Sequence, residues 1–206
     1  MLPPDVQPAL FFDRDGTLNE LVHYPDSGEW ESPRSPGDLR ILPGAGAALR
    51  ALQEGGWPLF LVSNQPSFAK GKTTLEQLEA VHAALAEHFR QAGVAFTEAY
   101  YCFHHPDSQV PGYGGTCRCR KPSPFFLEEA ARRHQVALGG SWLIGDQDMD
   151  VLCARNAGCR SLLIPCSASA SKRGEVEPDA TAGALADLPG MLLATHSNFR
   201  HPKDRP

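Results

Sequence analysis

Residues 9–19 read ALFFDRDGTLN, and this stretch decides the fold. Ala9 to Phe12 is a short apolar run without polar alternation, the pattern of a strand buried on both faces. It breaks at once into Asp13, Arg14, Asp15, Gly16 and Thr17. Asp and Gly also build ordinary turns. Here two carboxylates, two residues apart, leave the end of a buried strand, so they can converge on one metal ion.

Working outward, the chain alternates short apolar runs with amphipathic stretches. Residues 42–56, LPGAGAALRALQEGG, read as a helix carrying Leu42, Leu49 and Leu52 and stopped by Gly55-Gly56. WPLFLVSN (57–64) is a second strand. Thr73 and Glu76 have capping-box spacing for a helix bearing Leu75, Leu78, Val81, Leu85 and Phe89. TEAYYCF (97–103) is a third strand. Ser123 as N-cap and Pro124 at the first helical position open the helix SPFFLEEAARRHQV (123–136). SWLIGD (141–146), MDVLCARNAGC (149–159), SLLIP (161–165) and ALADLPGMLLA (184–194) supply strand, helix, strand and helix. This order predicts an α/β fold of three layers, a doubly wound and mostly parallel sheet. A single domain over residues 1–195 and a disordered tail at 196–206 follow from the same reading.

Open α/β sheets bind ligands beyond the carboxyl ends of their strands. Four polar clusters fall there. The first is Asp13 and Asp15. The second is Ser63, Asn64 and Gln65, a hydroxyl and two amides that can donate to a phosphate. The third holds Arg120 and Lys121. The fourth, GDQDMD (145–150), offers Asp146, Asp148 and Asp150. A carboxylate there could complete the metal site that Asp13 opens, or cap the next helix.

The segment between the third strand and Lys121 carries different chemistry. In CFHHPDSQVPGYGGTCRCRKP (102–122), Cys102, His104, Cys117 and Cys119 form C-x-H followed by C-x-C. Three thiolates and one imidazole are an ordinary tetrahedral Zn²⁺ set. A connecting stretch rich in Gly and Pro needs such a staple to be ordered. His105 is the rival to His104 as the fourth ligand. Cys153, Cys159 and Cys166 show no paired spacing and read as small buried residues.

Composition narrows the function classes. With 206 residues, 42% hydrophobic and 21% charged, the chain can bury a real core. A net charge of -5 argues against a general nucleic-acid or anionic-membrane binder. No stretch approaches the roughly 20 apolar residues that span a bilayer. The N-terminus lacks the basic and apolar regions of a signal peptide. The expectation is a cytoplasmic protein with reduced thiols, in which clustered cysteines mean metal or catalysis. No coiled coil or repeat asks for an oligomer, so a monomer is expected.

The order Asp13-x-Asp15-Gly16-Thr17, Ser63-Asn64, Lys121, Gly145-Asp146 resembles the haloacid dehalogenase (HAD) superfamily of phosphatases. The resemblance runs from about residue 9 to the fifth strand. It implies that Asp13 is a nucleophile that forms an aspartyl-phosphate. It implies that Asp15 is the general acid and then the base. Mg²⁺ would be held by the carboxylates of Asp13 and Asp146 and the backbone carbonyl of Asp15. Ser63 and Lys121 would hold the phosphoryl oxygens.

The zinc loop (102–121), DRDGTLN, and SNQ followed by Ala69-Lys70-Gly71-Lys72 resemble a zinc-loop subgroup that includes heptose bisphosphate and histidinol-phosphate phosphatases. In that subgroup the zinc is structural and Arg120 and Lys121 meet substrate. Arg14, Asn64 and Gln65 join them as candidate substrate-binding residues. The short linker between Asp13 and Ser63 leaves little room for a large cap domain. The implied substrate is a small phosphorylated metabolite, a sugar bisphosphate such as D-glycero-D-manno-heptose 1,7-bisphosphate. Histidinol phosphate is the alternative, with Asp26, Glu29 and Glu31 to receive its positive charge. A zinc-ribbon nucleic-acid module is the competing class; it would need a basic, aromatic-rich face. Two departures from the subgroup are Gln147, where a lysine is usual, and a longer stretch over 20–36.

Overall fold

The structure, a computed structural model, describes residues 6–196. Its elements in chain order are β1 (Leu10–Phe12), β2 (Val22–Tyr24), β3 (Glu29–Glu31), α1 (Ala45–Glu54), β4 (Leu59–Asn64) and α2 (Leu75–Gln91). Then follow β5 (Glu98–Cys102), α3 (Phe125–His134), β6 (Trp142–Gly145), α4 (Asp148–Ala157), β7 (Arg160–Leu163), β8 (Ala180–Thr181) and α5 (Leu188–His196). The tail expected at 196–206 lies, from 197 on, outside the described residues.

Six strands form one parallel sheet in the order β5-β4-β1-β6-β7-β8. Winding goes from β1 outward to β4 and β5, then returns to β6 and runs outward the other way. The switch point falls at the carboxyl end of β1, between β4 and β6. This is where such sheets open a crevice.

The apolar runs lack alternation because both faces of the sheet are covered. Leu10, Phe12, Leu59, Leu61 and Ile144 pack with Leu49 and Leu52 of α1, Leu85 and Phe89 of α2, and Leu192 of α5. Phe11, Phe60, Val62 and Leu143 face the other way, onto Leu127 of α3 and Cys153 and Ala154 of α4. The period of two within each strand sends neighbours to opposite cores. Phe11 and Phe60 stack across β1 and β4 with centroids 5.1 Å apart.

Two helix starts differ from expectation by one residue. The cap of α2 is Thr74, whose side chain accepts from the Gln77 N–H, while the Thr73 hydroxyl donates to the Arg34 carbonyl. The cap position of α3 is Pro124, not Ser123; the Ser123 hydroxyl donates to the Arg118 carbonyl and accepts from the Phe125 N–H at 3.4 Å.

The β2–β3 hairpin has no counterpart in the sequence reading. Its residues, VHY and EWE, carry no buried apolar face, so hydropathy could not mark it. Ion pairs hold it. Arg34 pairs with Asp26 at 2.7 Å and Glu31 at 2.9 Å, and Lys72 from beyond β4 pairs with Glu31. Between Asp13 and Ser63 the chain builds only this hairpin, a 3-10 turn at Pro36–Asp38 and α1, so no large cap domain is present there. No helix among the described residues is long and apolar enough to cross a membrane.

Truncating Phe60 to Ala should cost about 3–5 kcal/mol, because it opens a cavity in the second core and removes the Phe11 stack. Urea denaturation of the variant against the parent measures this.

Candidate active site

Asp13 leaves β1 at the switch point, its N–H donating to the Ile144 carbonyl at 2.8 Å. Extended backbone alternates its side chains, so Asp13 and Asp15 both line the cleft while Arg14 between them turns inward. Gly16 then adopts φ +91°, and a Cβ there would lie 2.3 Å from the Asp146 carboxylate. Only glycine allows both the conformation and the approach.

The centre of the site is Lys121, 3% exposed. Its Nζ donates to Asp13 Oδ1 at 2.6 Å, to Asp150 Oδ1 at 2.6 Å and to the Val62 carbonyl at 3.0 Å. All three ammonium protons are used. Burial pushes the Lys121 pKa down, but the two carboxylates outweigh it and raise the value. Asn64 fastens the backbone beside it: its side chain accepts from the Lys121 N–H at 3.0 Å and donates to the Lys121 carbonyl at 3.2 Å.

Asp146 is fully buried and neither of its carboxylate oxygens has a hydrogen-bond partner. An unpaired buried carboxylate is costly. Oxygen atoms of Asp13, Asp146 and Asp150 lie within 4.8 Å of one another. An orphaned carboxylate among converging oxygens is the donor set of a hard divalent cation. Burial raises Asp146 to about 8, with the charges of Asp13 and Asp150 adding to it. Burial likewise raises Asp13 to about 6; Lys121 pulls it down, and Asp150 and Asp15 push it up.

Asp15 stands outside that oxygen cluster. Its Oδ1 accepts from Arg14 Nε at 3.0 Å and Asn19 Nδ2 at 2.9 Å, and its Oδ2 accepts from Gln65 Nε2 at 2.5 Å. The Asp15 carboxylate is thus committed elsewhere, which leaves its main-chain carbonyl as the atom the resemblance assigns to a cation. Arg14 and Gln65, expected from the sequence to bind substrate, are both fully buried, bonded to each other at 2.7 Å, and each donates to the Asp15 carboxylate. Ser63 lines the cleft, its hydroxyl accepting from Gln65 Nε2 at 2.9 Å. Asn64 reaches the cleft too, with its amide committed to Lys121 and to Met149.

Asp150 is the carboxylate the sequence reading named without giving it a role. Asp146 precedes the Gln147 N-cap and Asp150 lies in the first turn of α4, where its Oδ2 accepts from the Gln147 N–H at 3.2 Å. Asp148, two residues from either, points away and accepts from the Gly174 and Glu175 N–H groups at 3.0 and 2.8 Å.

The second cluster holds Cys102, His104, Cys117 and Cys119. The Cys117 sulfur lies 3.6 Å from that of Cys102 and 3.7 Å from that of Cys119, and His104 Nδ1 lies 3.9 and 3.7 Å from Cys102 and Cys119. Ligands about 2.3 Å from a tetrahedral ion are about 3.8 Å apart, so the set fits a thiophilic metal. The Cys102–Cys119 edge is shorter, at 3.1 Å. His105 is outside the cluster; its Nδ1 accepts from the Asp107 N–H. Arg120, next to Cys119, donates to the His104 carbonyl at 3.1 Å and lines the cleft. The cleft itself encloses about 520 Å³ and is walled on one side by the β2–β3 hairpin.

Comparison with known proteins agrees with this geometry. The HAD-hydrolase-like family description matches residues 118–188. A D-glycero-beta-D-manno-heptose-1,7-bisphosphate 7-phosphatase of Yersinia pestis is 33% identical over 194 residues, covering 92% of this chain and 97% of that one. The protein of the same name from Escherichia coli K12 is 32% identical over 190 residues, covering 90% and 93%. The crystal structure of a D,D-heptose 1,7-bisphosphate phosphatase from B. bronchiseptica, complexed with magnesium and phosphate, superposes with a TM-score of 0.75 at 28% identity, covering 91% of this chain and 98% of that one.

Without a divalent cation, Asp13 and Asp146 bind more protons folded than unfolded between the ordinary value of 3.8 and their raised values of about 6 and 8. Their contribution to stability therefore falls as pH rises through that window and levels off above it. The stability contributed by the raised Lys121 is constant below its ordinary value of 10.5 and is lost only above it, outside this window. A divalent cation should raise Tm more at about pH 8 than at about pH 5. In chelator at the higher pH, Asp146→Asn should be at least as stable as the parent. Thermal scans at the two pH values check both.

Proposed function

This chain belongs to the HAD-like phosphatase family of the heptose-1,7-bisphosphate 7-phosphatases, and on that premise we propose that it removes one phosphate from a sugar bisphosphate, through an aspartyl-phosphate on Asp13. The observation that carries the reading is Asp13 at the switch point, 2.6 Å from a fully engaged Lys121 and beside the orphaned carboxylate of Asp146.

Lys121 holds the Asp13 carboxylate by one oxygen and leaves the other for attack on phosphorus. Its charge, with the Ser63 hydroxyl, meets the equatorial oxygens of the phosphoryl group. Asp15, steadied by Arg14, Asn19 and Gln65, gives a proton to the leaving sugar oxygen. It then takes one from the water that opens the acyl-phosphate. Asp13, Asp146 and Asp150, with the Asp15 carbonyl, would hold Mg²⁺, whose charge lets the anionic nucleophile approach an anionic ester. Arg120 binds the substrate beyond the reacting phosphate. Cys102, His104, Cys117 and Cys119 would hold a structural Zn²⁺, and the His104 carbonyl, which accepts from Arg120, sets the direction of that guanidinium.

The histidinol-phosphate alternative needs free carboxylates for a cationic substrate. Of its candidates, Asp26 and Glu31 are paired with Arg34, and Glu31 also with Lys72, which leaves Glu29, 3.5 Å from Lys72, as the one loosely paired carboxylate of the three. A sugar bisphosphate suits the cleft better, since Lys70, Arg120 and Lys172 line it. We read residues 1–195 as one catalytic unit, working as a monomer on a small metabolite and not on nucleic acid or at a membrane.

A panel of phosphate esters scored by kcat/KM should rank heptose or hexose bisphosphates above histidinol phosphate. Asp13→Asn should lower kcat on the best of them by on the order of 10⁴ while the circular dichroism spectrum is retained. Separately, metal analysis should find about one zinc per chain. Cys117→Ser should lose it together with several degrees of Tm.

A further inference from the structure

Among the described residues, Trp30 is the large apolar side chain left exposed, at 47%, whereas Trp57 and Trp142 are 1% and 8% exposed. Its position is not loose. Trp30 sits opposite His23 in the hairpin register, and the His23 ring meets it edge-on with centroids 5.3 Å apart. The hairpin is braced from three directions. Arg34 pairs with Asp26 and Glu31 and lies 3.9 Å over the Tyr24 ring. The Tyr24 hydroxyl donates to Asp38 at 2.8 Å. Lys72, from a different segment, reaches Glu31 and Glu29.

The braced indole also lines the cleft that holds Asp13 and Ser63. An exposed aromatic on a rigid wall of a catalytic cleft is surface kept for a ligand. Its chemistry defines that ligand. An indole face covers an apolar, flat group without supplying charge. A sugar in ring form has such a group, the face that carries its C–H bonds. Glu29, whose side chain is 62% exposed and whose pairing with Lys72 is long at 3.5 Å, can accept a hydroxyl at the ring's edge. Lys70, Arg120 and Lys172, which make no ion pair among the described residues, leave positive charge in the same cleft for a phosphate. Apolar face, hydroxyl rim and anionic substituent together describe a pyranose phosphate.

We propose that Trp30 is a substrate-binding residue, a stacking platform for the C–H face of a pyranose ring, and that it makes this cleft prefer ring-form sugar phosphates to acyclic esters. The proposal rests on the phosphatase reading above. In the absence of a cap domain, a fixed aromatic wall is one means of selecting a substrate by shape.

The test uses the metal-loaded, full-length protein as parent, Trp30→Ala and Trp30→Phe. Each is assayed on a hexose or heptose bisphosphate and on β-glycerophosphate, an acyclic ester. Trp30→Ala should lower the ratio of kcat/KM for the ring sugar over the acyclic ester by roughly tenfold, carried by KM, and Trp30→Phe should recover most of it. An unchanged ratio in Trp30→Ala overturns the platform and leaves the phosphatase reading standing. Failure of the parent to hydrolyse any ester overturns that reading instead. A second measurement then decides the platform alone. The sugar bisphosphate is titrated into Asp13→Asn protein while tryptophan emission is followed, since Trp30 is the exposed indole. A saturable change that disappears in Asp13→Asn/Trp30→Phe supports stacking, and a change that persists overturns it.

Discussion

One buried ammonium organises this molecule. Lys121 joins the end of β1 through Asp13, the end of β4 through the Val62 carbonyl and the start of α4 through Asp150. Those three segments come from both halves of a doubly wound sheet. A lysine can be buried there because its desolvation is offset by two carboxylates and a carbonyl. The carboxylates in turn are tolerated only because the lysine is present. Removing the lysine would leave two carboxylates uncompensated in the interior.

Even so, the compensation is incomplete. Asp13, Asp146 and Asp150 converge, and one lysine cannot satisfy all of them. Asp146 stays without a partner. Burial and mutual repulsion hold the pKa values of Asp13 and Asp146 high. This residual frustration is what a divalent cation would relieve, so the feature that costs stability without the cation would strengthen its binding. Stability and catalysis compete at this spot.

Around this centre the two segments that frame the cleft are braced by polar groups and not by either hydrophobic core. The hairpin that walls the cleft buries no apolar stripe and relies on Arg34 and Lys72. The loop after β5 is rich in Gly and Pro and gathers three thiols and an imidazole that could hold a metal ion. Each brace holds a side chain at the cleft: Trp30 in one case, Arg120 in the other.

Much of this was legible in the sequence. Unalternating apolar runs implied a sheet covered on both faces, and the residues after them marked the cleft. Asp13, Asp15, Ser63, Lys121 and the four-ligand pattern were readable because their chemistry is local and their spacing short. What stayed hidden depended on partners distant in the chain. Nothing in DRDG says that Arg14 turns inward to meet Gln65, 51 positions away. Thr74, not Thr73, caps α2, and the Thr73 hydroxyl donates to the Arg34 carbonyl 39 positions away. The hairpin escaped notice because ion pairs leave no hydrophobic period. Periodicity and motif, which are properties of neighbouring residues, determined the fold class and the candidate site residues. Which of those side chains line the cleft, and which stand behind them, was decided only when the sheet brought separate strand ends within hydrogen-bonding distance.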